Sequence, residues 1–142
     1  GPEFAHGIES APYMVKPNVA ELQELVGFAT EGDADRMRAI DAVHARGIEL
    51  VVLSLGKDGA IVSRGDERFH VAPPAIQEIN AVGSGDALVA GFAIGLLENQ
   101  PLQEMARTAC AMGTANAMSW EIGHFSREEV EQVRAHVTVT PL

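Results

Sequence analysis

The run IELVVLSLG, Ile48–Gly56, constrains the fold of this chain more than any other stretch. It is a continuous β-branched segment bounded by glycine. A strand with one face in water alternates apolar and polar residues. An unbroken run is expected where both faces are covered. The segments around it supply helices for that purpose. DADRMRAIDAVHARG (Asp33–Gly47) reads as a helix with Asp33 or Asp35 at its start, Met37, Ile40 and Val43 on one face, and Gly47 as its stop.

Before that helix, APYMVKPN (Ala11–Asn18) reads as a short strand ending at Pro17, since proline favours extended backbone ahead of it. Asn18 then caps a helix over VAELQELVGF, with Leu22 and Leu25 on one face. Downstream, GAIVSRG and RFHVAPP are shorter strands joined by RGDE as a hairpin. Three helices follow, from Gly85 to about Glu98, Leu102 to about Trp120, and Ser126 to about Ala135. SREE (Ser126–Glu129) fits a capping box at the last of these. Parallel strands with crossover helices predict an α/β layer structure. The Ala- and Gly-rich stretches ALVAGFAIG and ACAMGTANAM predict densely packed, buried helices. No repeat, low-complexity tract or linker divides the 142 residues, about one domain by length.

Charge narrows the partners. Acidic residues outnumber basic ones 20 to 10, for a net charge of -10. That balance argues against nucleic acid or an anionic membrane as the main partner. An anionic ligand must then be held locally, by backbone N–H groups, a metal or a few lysines. Cys110 is the only cysteine, so no disulfide framework exists and a cytoplasmic setting is expected. No apolar run reaches ~18 residues uninterrupted, so no membrane span is expected. GPEF (Gly1–Phe4) reads as a cloning remnant, leaving residues 5–142 as the portion to be explained.

Three stretches can carry chemistry. In INAVGSGDALVAGF, Gly83 and Gly85 frame Ser84, and Asp86 follows. No GK[ST] follows, so this is not a Walker A loop. Leu88 stands where a dinucleotide fingerprint needs glycine or alanine. What remains is a glycine turn opening a helix, whose free N–H groups and positive dipole end favour an anion. Asp86 there is either an ordinary first-turn acid or a base for an alcohol proton. In KPNVAE, Asn18 and Glu21 stand three apart at a helix start, behind Lys16. They are either a cap with a first-turn acid or holders of hydrated Mg²⁺ and phosphate oxygens. In SLGKDGA, Ser54, Gly56 and Gly59 form either a plain turn or a nucleotide platform. The five histidines show no metal spacing, and Cys110 sits in an apolar helix as a core residue.

Together these stretches resemble the ribokinase-like (PfkB) family of carbohydrate kinases. NAVGSGDALVAGF is similar to the family's C-terminal signature, KPNVAEL to its N-x-x-E motif, and SLGKDGA to its nucleotide loop. APYMVKPN and ANAMSWEIGHFS resemble the tagatose-6-phosphate kinase and 1-phosphofructokinase group. Ala81 departs from the Thr, Ser or Pro more usual at its place. Family members run to about twice this length, so the resemblance covers a C-terminal half.

The resemblance implies a three-layer ribokinase-like fold, here parallel strands plus a hairpin flanked by helices. It implies ATP and Mg²⁺ as cofactors and a sugar phosphate as acceptor. Asp86 would take the acceptor's proton, and the N–H groups of Gly83, Ser84 and Gly85 would stabilise the transferring phosphoryl. Asn18 and Glu21 would organise Mg²⁺ through water, and Lys16 would neutralise phosphate charge. Ser54, Gly56 and Gly59 would line the nucleotide, with Asn116 near the adenine. A fragment of such a kinase is expected to be inactive alone and to self-associate through exposed apolar surface. Two alternatives stand beside this: a non-catalytic nucleotide-binding module, and a related kinase for another alcohol such as a nucleoside or vitamin.

Overall fold

The computed structural model describes residues 12–74, 84–118 and 126–142. Its contacts divide the chain into two compact units. The first comprises Gly1–Gly56, Ala60–Arg68 and Leu142, and the second Lys57–Gly59 and Phe69–Pro141.

In the first unit, β1 (Met14–Val15) pairs in parallel with β2 (Leu50–Ser54), placing Met14 opposite Leu50 and Val15 opposite Val51. β2 pairs antiparallel with β3 (Ala60–Arg64), from Leu50 opposite Arg64 to Ser54 opposite Ala60. Parallel pairing among the described strands thus joins β1 and β2, the two strands expected to pair that way. The expectation for β2 itself holds: Leu50, Val51, Val52 and Leu53 are each 0% exposed, on both faces of the strand.

Two helices complete this unit. α1 (Val19–Val26) ends where Gly27 turns left-handed and its N–H bonds to the Gln23 carbonyl at 2.9 Å. α2 (Asp33–His44) has Gly32 as its N-cap, which places Asp33 and Asp35 inside the first turn rather than at the cap. It stops before Gly47 because Arg46 and Gly47 bond back three residues, tightening the last turn. Leu22 of α1 and Ala39, Ile40 and Val43 of α2 pack with Val15, Val51, Leu53 and Ile61 in one apolar core.

A polar chain runs beside that core. His44 Nδ1 lies 2.8 Å from the Ile48 carbonyl, and Nε2 lies 2.8 Å from Ser63 Oγ. Because a carbonyl only accepts, Nδ1 carries the proton and Nε2 accepts from the serine hydroxyl. Arg68 Nε donates to the same Ser63 Oγ at 2.9 Å, and its guanidinium pairs with Asp41.

In the second unit, the Phe69–Ala72 part of β4 (Glu67–Ala72) pairs antiparallel with β5 (Thr138–Pro141), Phe69 opposite Pro141 and Ala72 opposite Thr138. α3 (Ser84–Leu97) packs on α4 (Leu102–Met118). The approach is close at glycine: a Cβ on Gly91 would meet Ala109 Cα at 2.5 Å. α5 (Arg127–Arg134) is fastened to α4 by an Arg134–Glu104 ion pair and by Arg134 Nε donating to Thr108 Oγ1 at 3.1 Å.

Three expectations need correction here. The apolar run after Asp86 is not wholly buried: Phe92 is 1% exposed, but Val89, Ile94 and Leu97 are 39%, 42% and 84% exposed. α3 buries one stripe, along Gly91, Phe92 and Gly95, and leaves an apolar face open. At α5 only half the capping box forms: Ser126 Oγ accepts from Glu129 N–H at 3.1 Å, while the hydroxyl itself donates to Glu129 Oε1. Finally, β5 was not anticipated, although VTVT alternates as an edge strand does. Among the described residues, no helix is long and apolar enough to cross a membrane.

Candidate functional site

The residues singled out from the sequence fall in both units. Lys16, Asn18, Glu21, Ser54 and Gly56 belong to the first, and Gly59, Gly83–Asp86 and Asn116 to the second.

In the first unit the fold brings Asn18, Glu21 and Ser54 together. The parallel pairing of β1 and β2 is extended by a bridge between Asn18 and Ser54, and Ser54 N–H donates to the Pro17 carbonyl at 2.9 Å. Asn18 therefore sits where the strands end and α1 begins, which is the ligand side of an α/β sheet. Asn18 and Glu21 form a full capping box. Glu21 N–H donates to Asn18 Oδ1 at 2.8 Å, and Asn18 N–H donates to Glu21 Oε1 at 3.0 Å. The bland reading of this pair is thus realised, with one oxygen of each side chain engaged in the cap. Lys16, half-buried, precedes them.

After β2 the chain enters a short 3₁₀ turn, Gly56–Asp58, with Gly56 at φ 63° and Gly59 at φ 92°. Gly59 is required by more than its torsion: a Cβ there would lie 1.9 Å from the Val71 carbonyl oxygen. Asp58 is held as well, its carbonyl 2.9 Å from His70 Nε2. Sequence reasoning missed that link, because twelve residues separate the partners and only strand pairing brings them near.

In the second unit Ser84 opens α3, and Asp86 is exposed in its first turn. A carboxylate there is favoured by the helix dipole and remains open to a ligand. Gly83 lies outside the described residues, as does the Ser84 side chain. Asn116 on α4 is 1% exposed. Burial pushes the Cys110 thiol from 9.0 up to about 11, with a hydrogen bond to Thr114 opposing the shift. That thiol stays protonated near neutrality, as a core residue should. Among the described residues no three His, Cys, Asp or Glu side chains converge on a metal position.

A parallel strand pair with a capped helix at its end and a further helix packed against it places the fold in the α/β class. The pfkB family of carbohydrate kinases matches residues 2–120, and the chain belongs to that family. A tagatose-6-phosphate kinase of Staphylococcus epidermidis is 33% identical over 129 residues, 90% of this chain and 42% of the relative. A 1-phosphofructokinase of Xanthomonas campestris is 36% identical over 129 residues, 90% of this chain and 41% of the relative. Phosphofructokinase-2 of Escherichia coli, solved with fructose-6-phosphate, superposes with a TM-score of 0.84 at 27% identity, covering 96% of this chain and 44% of that one. Arabidopsis thaliana ribokinase, solved with ribose and ATP, gives 0.79 at 25% identity, covering 92% and 43%. The fold is therefore ribokinase-like, and the chain spans less than half the length of these relatives.

Proposed function

We propose that this chain is the nucleotide-binding and catalytic portion of an ATP-dependent kinase acting on a sugar-phosphate hydroxyl. The observation that carries the reading is Asp86, exposed in the first turn of α3. There the carboxylate takes the proton of the acceptor hydroxyl as its oxygen attacks the γ-phosphorus. The bond from that phosphorus to the ADP oxygen breaks, giving ADP and the phosphorylated sugar. The N–H groups of Gly83, Ser84 and Gly85 meet the charge on the transferring phosphoryl.

Ser54, Gly56 and Gly59 line the nucleotide, Asn116 lies toward the adenine, and Lys16 offsets phosphate charge. Mg²⁺ fits a set this sparse, since it is commonly held by one or two carboxylates with substrate phosphates and waters. Asn18 and Glu21 would hold Mg²⁺ through water, and the ion would supply charge to offset the transferring phosphoryl; Glu21 Oε1 is already engaged by the Asn18 N–H. The single cysteine supports a cytoplasmic setting. The open apolar face of α3 supports self-association, which a monomeric mass in light scattering would contradict.

The test has two arms. A coupled ADP-release assay with tagatose-6-phosphate, fructose-1-phosphate and fructose-6-phosphate, and with a nucleoside and a vitamin alcohol beside them, reads turnover, and calorimetry with Mg·ATP reads binding. Turnover on a sugar phosphate by the full enzyme supports the proposal. Turnover only on a nucleoside or vitamin redirects it to another alcohol kinase. Binding without turnover on any acceptor identifies a non-catalytic nucleotide module.

A further inference from the structure

The turn at Lys57–Gly59 is gripped by β4 at two successive peptides. His70 places Nε2 2.9 Å from the Asp58 carbonyl. Since that oxygen only accepts, Nε2 carries a proton and donates. One residue further, Gly59 lies so close to the Val71 carbonyl that no side chain fits between them. The second contact sets how near the turn approaches β4, and the first sets the orientation of the Asp58 peptide. The Phe69–Ala72 part of β4, which carries His70 and Val71, pairs with β5 and gives both contacts a firm base.

We propose that His70 is a positioning residue for nucleotide binding: its ring N–H holds the Asp58–Gly59 peptide of the glycine turn in the orientation that meets the nucleotide. The inference rests on the nucleotide reading of that turn given above. His70 acts through the peptide and not by touching the nucleotide. Its removal therefore loosens the turn and weakens nucleotide binding, while leaving the acceptor's KM unchanged.

The experiment compares wild type, His70→Ala and His70→Gln in the full enzyme. Gln is chosen because its amide N–H can donate to the same carbonyl. Calorimetry with Mg·ATP is expected to show affinity falling about 3- to 10-fold in His70→Ala, the scale of one net hydrogen bond, and recovering to within about 2-fold in His70→Gln. Amide hydrogen exchange at Asp58, Gly59 and Ala60 is expected to quicken in His70→Ala only. Equal affinity in all three proteins overturns the proposal while leaving the nucleotide reading intact. A loss that His70→Gln does not recover also overturns it. If wild type binds no Mg·ATP, the nucleotide reading falls and the proposal with it. Quickened exchange in His70→Ala then reports a purely structural link.

Discussion

Asn18 and Glu21 cap each other: each backbone N–H donates to the other's side-chain oxygen, at 3.0 and 2.8 Å. The same two residues are the proposed organisers of Mg²⁺, so structure and function must be separated by substitution. Asn18→Ala removes the cap and should cost about 1 kcal/mol of stability. Glu21→Gln keeps an oxygen for the Asn18 N–H and loses only the charge, costing at most ~1 kcal/mol. If Glu21 serves the metal, Glu21→Gln should raise the Mg²⁺ concentration needed for half-maximal activity. An unchanged Mg²⁺ requirement leaves the pair as a cap alone.

Asp86 is exposed, so its replacement should be tolerated by the fold. Asp86→Asn should change stability by no more than ~1 kcal/mol, the dipole contribution of a first-turn acid. In the full enzyme it should lower kcat at least ~10²-fold, as loss of a general base does. Turnover near the wild-type rate would remove Asp86 from the chemistry.

Gly91 and Gly95 both face α4 closely, yet they should respond differently. At Gly91 a Cβ meets Ala109 backbone at 2.5 Å, and backbone cannot step aside. Gly91→Ala should cost about 1–3 kcal/mol despite the better helix propensity of alanine. At Gly95 the nearest atom is Met105 Cγ, in a side chain with rotatable bonds. Gly95→Ala should cost less than Gly91→Ala in chemical denaturation, and the reverse order would refute the packing account.

Ser63 is 0% exposed and serves two partners, His44 and Arg68. Ser63→Ala leaves Arg68 Nε and His44 Nε2 without that oxygen. A loss of about 0.5–1.5 kcal/mol is expected, the net worth of an ordinary hydrogen bond, since both partners are only half-buried. An unchanged denaturation midpoint would show that water replaces the hydroxyl freely.

Cys110 makes stability depend on alkaline pH. Its thiol titrates at about 11 when folded and at 9.0 ordinarily. Below pH 9.0 both states keep the proton, and the contribution is fully present. As pH rises from 9.0 to about 11 the unfolded chain binds fewer protons, so stability falls, by roughly 2–3 kcal/mol at ~1.4 kcal/mol per pH unit. Cys110→Ala should lack this component. The difference between the two proteins' denaturation midpoints should therefore narrow or reverse between pH 8.5 and 11.

The Asn18–Glu21 pair was legible in the sequence because its signals are local. Asn18 and Glu21 are three residues apart, and a capping box needs only that spacing. Asp86 stands in the first turn of a helix that the apolar run after it announces. The buried strand Leu50–Ser54 was legible too, since an unbroken apolar run has few other solutions. What was misread in α3 has the opposite character. Its apolar run predicts burial throughout, but composition cannot say how many neighbours a helix has, and here one face stays open.

The amino-acid sequence by itself determined the order of the elements from β1 to α5, the caps at Asn18 and Ser126 and membership of the pfkB family. Those follow from hydrogen bonds and periodicities that span a few residues. Only the tertiary structure decided which glycines are demanded by packing, that Ser63 links His44 to Arg68, and that His70 holds Asp58. Those relations join residues many positions apart, and they exist only once strand pairing and helix packing have fixed which backbone lies against which.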